Sequence, residues 1–328
     1  MSNRIREVDA TVIVPTYNRA QVLRRCLDAV ACQSAGRRRF ELVVVDNNSS
    51  DETPQVVAGF AEANPELSVR YFRELKQGAS HARNRGISEA RGGILCFLDD
   101  DSPPDPNWLE TLLGAFDDAT VGCAGGPSVL DYQGQERPPW LYGDLQGLLS
   151  GYGLPYRTPT AVTAFAEFPL GCNVAFRREV FDRLGCLRTD LDRCGGDVLA
   201  AGDTEMIDRA RKAGWQVLYL PDAKVNHLVE PSRLAKSHLY RVGAGLAKSH
   251  IILTSDRRAP KVLRFFLSDM WYATRMFFAL VAALVSRKQL WFDDYMRFWM
   301  VGMRIPLRLR SLLMPTSFFP PARRLEGN

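Results

Sequence analysis

From Ala10 to about residue 116 the chain alternates short aliphatic runs with stretches whose apolar positions recur every three or four residues. ATVIVPTY, FELVVVDNN, VRYFREL and ILCFLDDD are dense in Val, Ile, Leu and Phe and predict strands. RAQVLRRCLDAVACQ, TPQVVAGFAEAN, the segment from about Ser80 to Arg91 and PNWLETLLGAF predict the helices between them. This is the rhythm of crossover units in a Rossmann-like α/β class, a mainly parallel sheet flanked by helices. Such strands carry ligand chemistry at their C-terminal ends, where turns lead into helix N-termini that favour anions. Here those ends read PTYN, DNN and DDD.

Their side chains agree with that position. Thr16, Asn18, Asp46 and Asn48 are short hydrogen-bonding groups suited to a base and ribose, and Asp99 with Asp101 suits a cation holding a diphosphate. The stretch FLDDDSPPDP is the most demanding, because adjacent carboxylates repel and are costly beside an apolar strand unless positive charge compensates them. An acidic turn capping the following helix is the plain alternative. A calcium loop with Asp99, Asp101 and Glu110 at its first, third and twelfth places fails, since Pro104 stands where that loop needs Gly. No GxGxxG follows the first strand and no GxxxxGK[ST] occurs, which disfavours dinucleotide dehydrogenases and phosphate-loop ATPases.

From about Asp131 to Phe168 the pattern dissolves into Gly, Pro and aromatics, including RPPWLYGDL. A loop of this length is either a lid or acceptor-binding element or a flexible insertion. Trp140, Tyr142 and Tyr152 either stack on a sugar face or pack as ordinary aromatics. Regular structure returns in LGCNVAFRREVFDRLG and AAGDTEMIDRARKAGWQVLYLPDAKVNH. Asp203 and Glu205 fall in the first turn of a helix starting near Gly202, where the dipole favours anions whether or not they do chemistry. His227 ends an apolar run, as a structural residue or a ligand.

With 328 residues and 46% hydrophobic content, the chain is long and apolar enough for one large domain or a domain with an appendage. The polar N-terminus shows no leader pattern and predicts a cytoplasmic protein, and seven cysteines without a CxxC pair read as reduced core residues. The net charge of +5 is unevenly placed: residues 257–328 hold thirteen Lys or Arg against four Asp or Glu, and the rest is net acidic. That basic tail is also rich in Phe, Trp, Leu and Met, which points to an anionic membrane surface rather than to nucleic acid. Its run MFFALVAALV, residues 276–285, is shorter than the roughly 20 residues of a span. Helices lying in the interface with Trp271, Trp291 and Trp299 at headgroup level are expected; the alternative is packing on the rest of the protein or on a partner subunit.

VIVPTYNR, VVVDNNSSDET, GASHARNRGI, FLDDDSPPDPNWLE, GCNVAFRREVF, GDTEM and KVNHLVEPSR occur in an order that resembles family 2 glycosyltransferases, inverting enzymes of the GT-A fold. The resemblance covers residues 9 to 235. It implies a catalytic domain over 1–235, with a nucleotide-binding part of about 9–130 and an acceptor part of about 131–235, followed by a helical, membrane-associating region over 236–328. It implies that Pro15, Thr16, Tyr17, Asn18 and Arg19 line the nucleotide pocket, Asp46 recognises the base, and Asn48, Lys76, Arg83, Asp99 and Asp100 lie at the nucleotide. Asp99 and Asp101 would form the DxD element and, with His227, hold a divalent cation, Mn²⁺ or Mg²⁺, Asp101 being the more direct ligand. Asp203 matches the catalytic base.

The chain departs from that pattern at Gly202, where many relatives carry Glu, leaving Glu205 as a substitute base. It departs again at DNNS, where others carry DDGS. The QxxRW element of processive synthases is absent, which implies one sugar per encounter. The expected activity is transfer from a nucleotide-diphospho-sugar to a glycan or lipid-linked acceptor at the inner face of the cell membrane, with no nucleic acid involved. Two rivals are a sugar-phosphate nucleotidyltransferase, disfavoured because VPTYNRAQ is not a Gly-rich loop, and a noncatalytic adaptor, disfavoured by retention of Asp99, Asp101, Asp203 and His227.

Overall fold

The computed structural model describes residues 8–191, 193–194, 197–199, 201–254, 259–286 and 291–313. β1 (Ala10–Thr16) leads to α1 (Ala20–Ala31), β2 (Phe40–Asp46) to α2 (Thr53–Ala63), β3 (Ser68–Arg73) to α3 (Ala79–Glu89), and β4 (Ile94–Leu98) to α4 (Trp108–Ala115). These are the alternating elements expected from the hydrophobic pattern. There follow β5 (Val121–Gly125), β6 (Ser128–Asp131), β7 (Thr160–Ala161), β8 (Asn173–Arg177), α5 (Arg178–Leu184), β9 (Arg193–Cys194) and β10 (Asp197–Val198). The chain continues through α6 (Gly202–Lys212), β11 (Gln216–Tyr219), β12 (Val225–Leu228), α7 (Lys236–Thr254), α8 (Ala259–Val285) and α9 (Trp291–Leu313).

The main sheet has the order β3-β2-β1-β4-β8-β5-β11-β7. It is parallel from β3 to β4 and between β5 and β11, while β8 runs antiparallel between β4 and β5. Alternation along the strands divides the core. Val12, Val14, Leu42, Val44 and Leu98 pack with Leu23, Leu27, Phe60 and Trp108 of the helices on one face. Ile13, Leu95, Phe97 and Phe176 pack with Val180, Met206 and Ile207 on the other. Because both faces are covered, the strands read as continuous apolar runs. Each such buried side chain contributes about 1.5–3 kcal/mol.

Two compact units emerge. One comprises the residues up to Gln133 with Ser150–Thr189 and Gly202–Val229; the other comprises Gly134–Leu149, Asp190–Ala201 and the chain from Glu230. The aromatic stretch expected as a single loop is therefore shared between them, and it carries a 3₁₀ helix at Gly143–Leu149. Its aromatics make packing contacts. The Tyr152 ring meets Tyr219 edge-on at 5.8 Å and its hydroxyl donates to the Glu167 carbonyl at 2.6 Å. Trp140 meets Phe292 at 5.5 Å, and Tyr142 lies 4.2 Å beneath the Arg137 guanidinium.

In the second unit α9 packs against α7 and α8. Arg308, fully buried, donates to Asp269 at 2.6 Å and to the Thr254 hydroxyl at 3.1 Å. Among the described residues, no helix is long and apolar enough to cross a membrane. Trp299, expected at headgroup level, instead meets Tyr240 of α7 at 5.1 Å.

Asn173, within GCNVAF, is a structural knot that the sequence did not single out. Fully buried, it accepts from the Trp108 indole at 2.7 Å and donates to the Ala223 and Pro127 carbonyls at 2.7 and 3.0 Å. Asn173→Leu removes the partner of the Trp108 indole and of the Ala223 carbonyl, while the Pro127 carbonyl keeps the Val225 amide, and a loss of about 2–4 kcal/mol is expected in urea unfolding. His250 on α7 predicts a pH effect: burial, reinforced by Arg304 and Arg308, pushes its imidazole down to about 3. The unfolded chain, with an ordinary value near 6.5, then binds more protons than the folded one between pH 6.5 and 3. Stability therefore falls as pH drops below 6.5. His250→Gln should flatten the decline in urea midpoint between neutral and mildly acidic pH, recovering about 1–2 kcal/mol.

Candidate active site

The site assembles where the parallel strands end. Thr16 at the end of β1 pairs with Asp46 at the end of β2, and Ile13 with Phe97 of β4, so the turns after the three strands share one sheet edge. Two of these turns use a left-handed residue, Asn18 at φ 51° and Asn48 at φ 67°, a conformation that Asn tolerates better than most side chains. They are also cross-linked. Asn18 accepts from the Ser50 amide at 2.8 Å, and its own amide donates to the Ser49 hydroxyl at 2.9 Å.

At the β4 end the acidic triplet meets two guanidinium groups. Arg19 donates to Asp100 and to Asp101, each at 2.8 Å, and the Thr16 hydroxyl donates to Asp100 at 2.7 Å. Arg83 on α3 donates to Asp99 at 2.6 Å. Asp100 and Asp101 are nearly sealed from water, at 5% and 2% exposure. Burial pushes the Asp100 carboxyl up to about 7, opposed by Arg19 and reinforced by Asp101 and Asp99. Behind the triplet, the Cys26 thiol is pushed up by burial and then by the fields of Asp100, Asp101 and Asp99.

β12 delivers His227. Its backbone is stitched to the acidic turn, Leu228 donating to the Asp101 carbonyl at 2.7 Å and Asn226 to the Pro103 carbonyl at 2.9 Å. His227 is thus a residue within the strand, buried, with Nε2 3.4 Å from the Asp101 carboxylate. Among the described residues, no three His, Cys, Asp or Glu side chains form a ready-made metal cluster. Asp99 is drawn to Arg83 and Asp101 to Arg19. The donor chemistry nevertheless fits a divalent ion: carboxylate oxygens and an imidazole, in a place where positive charge is already required.

The β2 end differs from expectation. Asp46 is fully buried, and its carboxylate accepts from the Ser49 amide at 2.7 Å and the Tyr71 hydroxyl at 2.5 Å. Burial and Asp46 together push the Tyr71 phenol up. In this arrangement Asp46 holds the turn, while half-buried Asn48, bonded at 2.7 Å to the exposed Arg73, presents polar groups at the strand end. Asn47 accepts from Gly78 at 2.8 Å and donates to the Lys76 carbonyl at 2.7 Å, shaping the loop whose Lys76 side chain is exposed. Asn47 and Arg73 were not singled out by sequence; only their places beside DNNS and at the end of VRYFREL mark them. Pro15 lies half-buried in β1, and Tyr17 is 48% exposed, open to a ligand face.

Asp203 stands in the first turn of α6. Its carboxylate accepts from the Gly171 amide at 2.5 Å and from the Thr204 amide at 2.9 Å. A Cβ at Gly171 would lie 2.3 Å from that carboxylate, so GCN begins with Gly because Asp203 occupies the space. A Cβ at Gly202 would stand 3.0 Å from the Ser80 hydroxyl, a tight approach. Glu205 is engaged by Arg209 at 2.8 Å. The buried Cys172 thiol is pushed up by burial and by the fields of Asp99, Asp101 and Asp203; its neighbours are Gly171, bonded to Asp203, and Asn173, paired with Leu98 just before the acidic turn.

Comparison with known proteins is consistent with this geometry. A sequence profile described as glycosyl transferase family 2 matches residues 11–185. Glycosyltransferase AglE of Haloferax volcanii is 27% identical over 235 residues, 72% of each chain. A glucosyl-dolichyl phosphate glucuronosyltransferase of the same organism is 24% identical, over 66% of this chain and 68% of its own. Among solved structures, the mannosyltransferase PcManGT of Pyrobaculum calidifontis, in complex with GDP-Man and Mn²⁺, superposes with a TM-score of 0.58 at 23% identity, covering 94% of this chain and 88% of that one. At that identity the likeness shows the fold, a GT-A-type sheet flanked by helices.

Proposed function

The chain belongs to glycosyl transferase family 2, and on that premise we propose an inverting, non-processive enzyme. It moves one hexosyl or deoxyhexosyl group from a nucleotide-diphospho-sugar to a hydroxyl of a glycan or lipid-linked acceptor, at the inner face of the cell membrane. The observation that supports this best is the convergence of the Thr16–Arg19, Asn48 and Asp99–Asp101 groups on one sheet edge, with Asp203 bonded to the Gly171 amide two residues before Asn173, which pairs with Leu98 next to Asp99. The names of similar proteins point the same way, one being solved with GDP-Man and Mn²⁺ and another acting on a dolichyl phosphate.

The donor nucleotide lies against the first two strand ends, with Tyr17 and Asn48 toward base and ribose and Lys76 at the rim. Arg19 and Arg83, now paired with the triplet, lie where the diphosphate charge is received. Asp203, oriented by the Gly171 and Thr204 amides, takes the proton of the acceptor hydroxyl. That oxygen bonds to the anomeric carbon from the face opposite the leaving group, the bond to the diphosphate oxygen breaks, and the product is inverted. Asp101, with Asp99 and His227, would hold the divalent cation; when bound it neutralises the departing diphosphate. Oxygen donors suit Mg²⁺ or Mn²⁺, and the imidazole favours Mn²⁺.

Asp203→Asn preserves shape and one of the two amide contacts, since its single carbonyl oxygen can accept from Gly171 or Thr204 but not both, while removing the base. Calorimetry with UDP, GDP and dTDP in the presence of Mn²⁺ should select one nucleotide and find its affinity unchanged in the variant, while turnover with the matching donor falls by about 10²–10⁴. Full turnover in Asp203→Asn would remove Asp203 from the mechanism.

A further inference from the structure

Helix α8 carries an apolar face that the described residues leave uncovered. Leu263 and Leu267 are 58% and 59% exposed, Trp271 54%, Phe278 65% and Val285 79%, with Val281 among them at 39%. At 3.6 residues per turn these six side chains fall within an arc of roughly 80°, a stripe that runs nearly the whole helix. The opposite side of α8 holds Asp269, Leu280 and Ala283, all buried, with Asp269 fastened to Arg308 of α9. That ion pair fixes which way the stripe faces.

The charges around the stripe have one sign. Arg264 and Arg275 are both exposed, and helical spacing places them together along one edge of the stripe. The Arg275 guanidinium lies 4.7 Å over the Trp271 ring. Among the described side chains of α7, α8 and α9, those that are both charged and exposed are Lys236, Arg241, Arg264, Arg275 and Arg310. The carboxylates of these helices, Asp269, Asp293 and Asp294, are buried or half-buried, the first two paired with Arg308 and Arg297. The sequence sets further basic residues just beyond each end of the helix, Arg257 and Arg258 before it and Arg287 and Lys288 after it.

We propose that this face of α8 is a docking surface for an anionic lipid bilayer, with the helix parallel to the membrane plane. Leu263, Leu267, Trp271, Phe278, Val281 and Val285 enter the boundary between headgroups and acyl chains, and Arg264 and Arg275 meet lipid phosphates. This deepens the membrane placement proposed above by naming the surface and its headgroup preference. A second copy of the chain is the poorer occupant, because pairing two such faces brings like charges together with no exposed carboxylate on these helices to offset them.

The test is flotation of the full-length protein with vesicles of phosphatidylcholine alone or mixed with phosphatidylglycerol, alongside light scattering. The protein should float with the mixed vesicles, weakly with the neutral ones, and less as salt is raised. Arg264→Gln and Arg275→Gln should each weaken binding roughly fivefold, and Phe278→Ser roughly tenfold. Circular dichroism and nucleotide calorimetry on the same samples should be unchanged, which separates failure of the surface from failure of the catalytic reading. The proposal is overturned if the folded protein ignores anionic vesicles or if these variants bind as the parent does. A dimer that Phe278→Ser converts to monomer, in a protein that does not float, would assign the face to a second copy instead.

Discussion

Three carboxylates at the mouth of a buried strand need positive charge, and the arrangement of the site follows from that need. β4 is enclosed between β1 and β8 with apolar side chains on both faces, so its last residues emerge into a region of low dielectric. Arg19 from the β1 turn and Arg83 from α3 supply the compensation. The burial that raises the Asp100 carboxyl also strengthens its attraction to Arg19. A site built this way is poised for exchange: a dication and a diphosphate can take over the pairings that carboxylates and guanidinium groups now make with one another.

The neighbouring elements are tied to that turn. β12 hydrogen-bonds along residues 101–105 and so sets His227 against Asp101. Asn173 holds β8 to Trp108 of α4 and to the turns after β5 and β11, and two residues earlier Gly171 makes room for Asp203. The antiparallel β8 thus links the nucleotide side of the sheet to the helix that bears the proposed base. At Asn173 the segment GCNVAF carries an internal fastening.

Much of the fold was legible because a sheet buried on both faces leaves an unmistakable apolar run, and its strand ends mark their polar residues by contrast. The triplet was likewise legible from electrostatics alone. What the sequence could not supply were contacts made across long separations. Asp46 stands where a base-reading residue is expected, yet Tyr71 and Ser49 consume its carboxylate. Arg73 and Asn47 had no local signature. Trp299 had the composition of an interfacial residue but packs on Tyr240, because amphipathic patterning cannot say which apolar face meets protein and which is left open.

The central claim, that the triplet exchanges its guanidinium partners for a dication, is tested most directly by anomalous diffraction from a crystal soaked with Mn²⁺ and the selected nucleoside diphosphate. The account predicts a manganese peak in contact with Asp101 or Asp99, with Arg19 or Arg83 turned from the carboxylates toward the diphosphate. A bound diphosphate with no metal peak at these side chains, and with both arginines still paired as they are here, would contradict it.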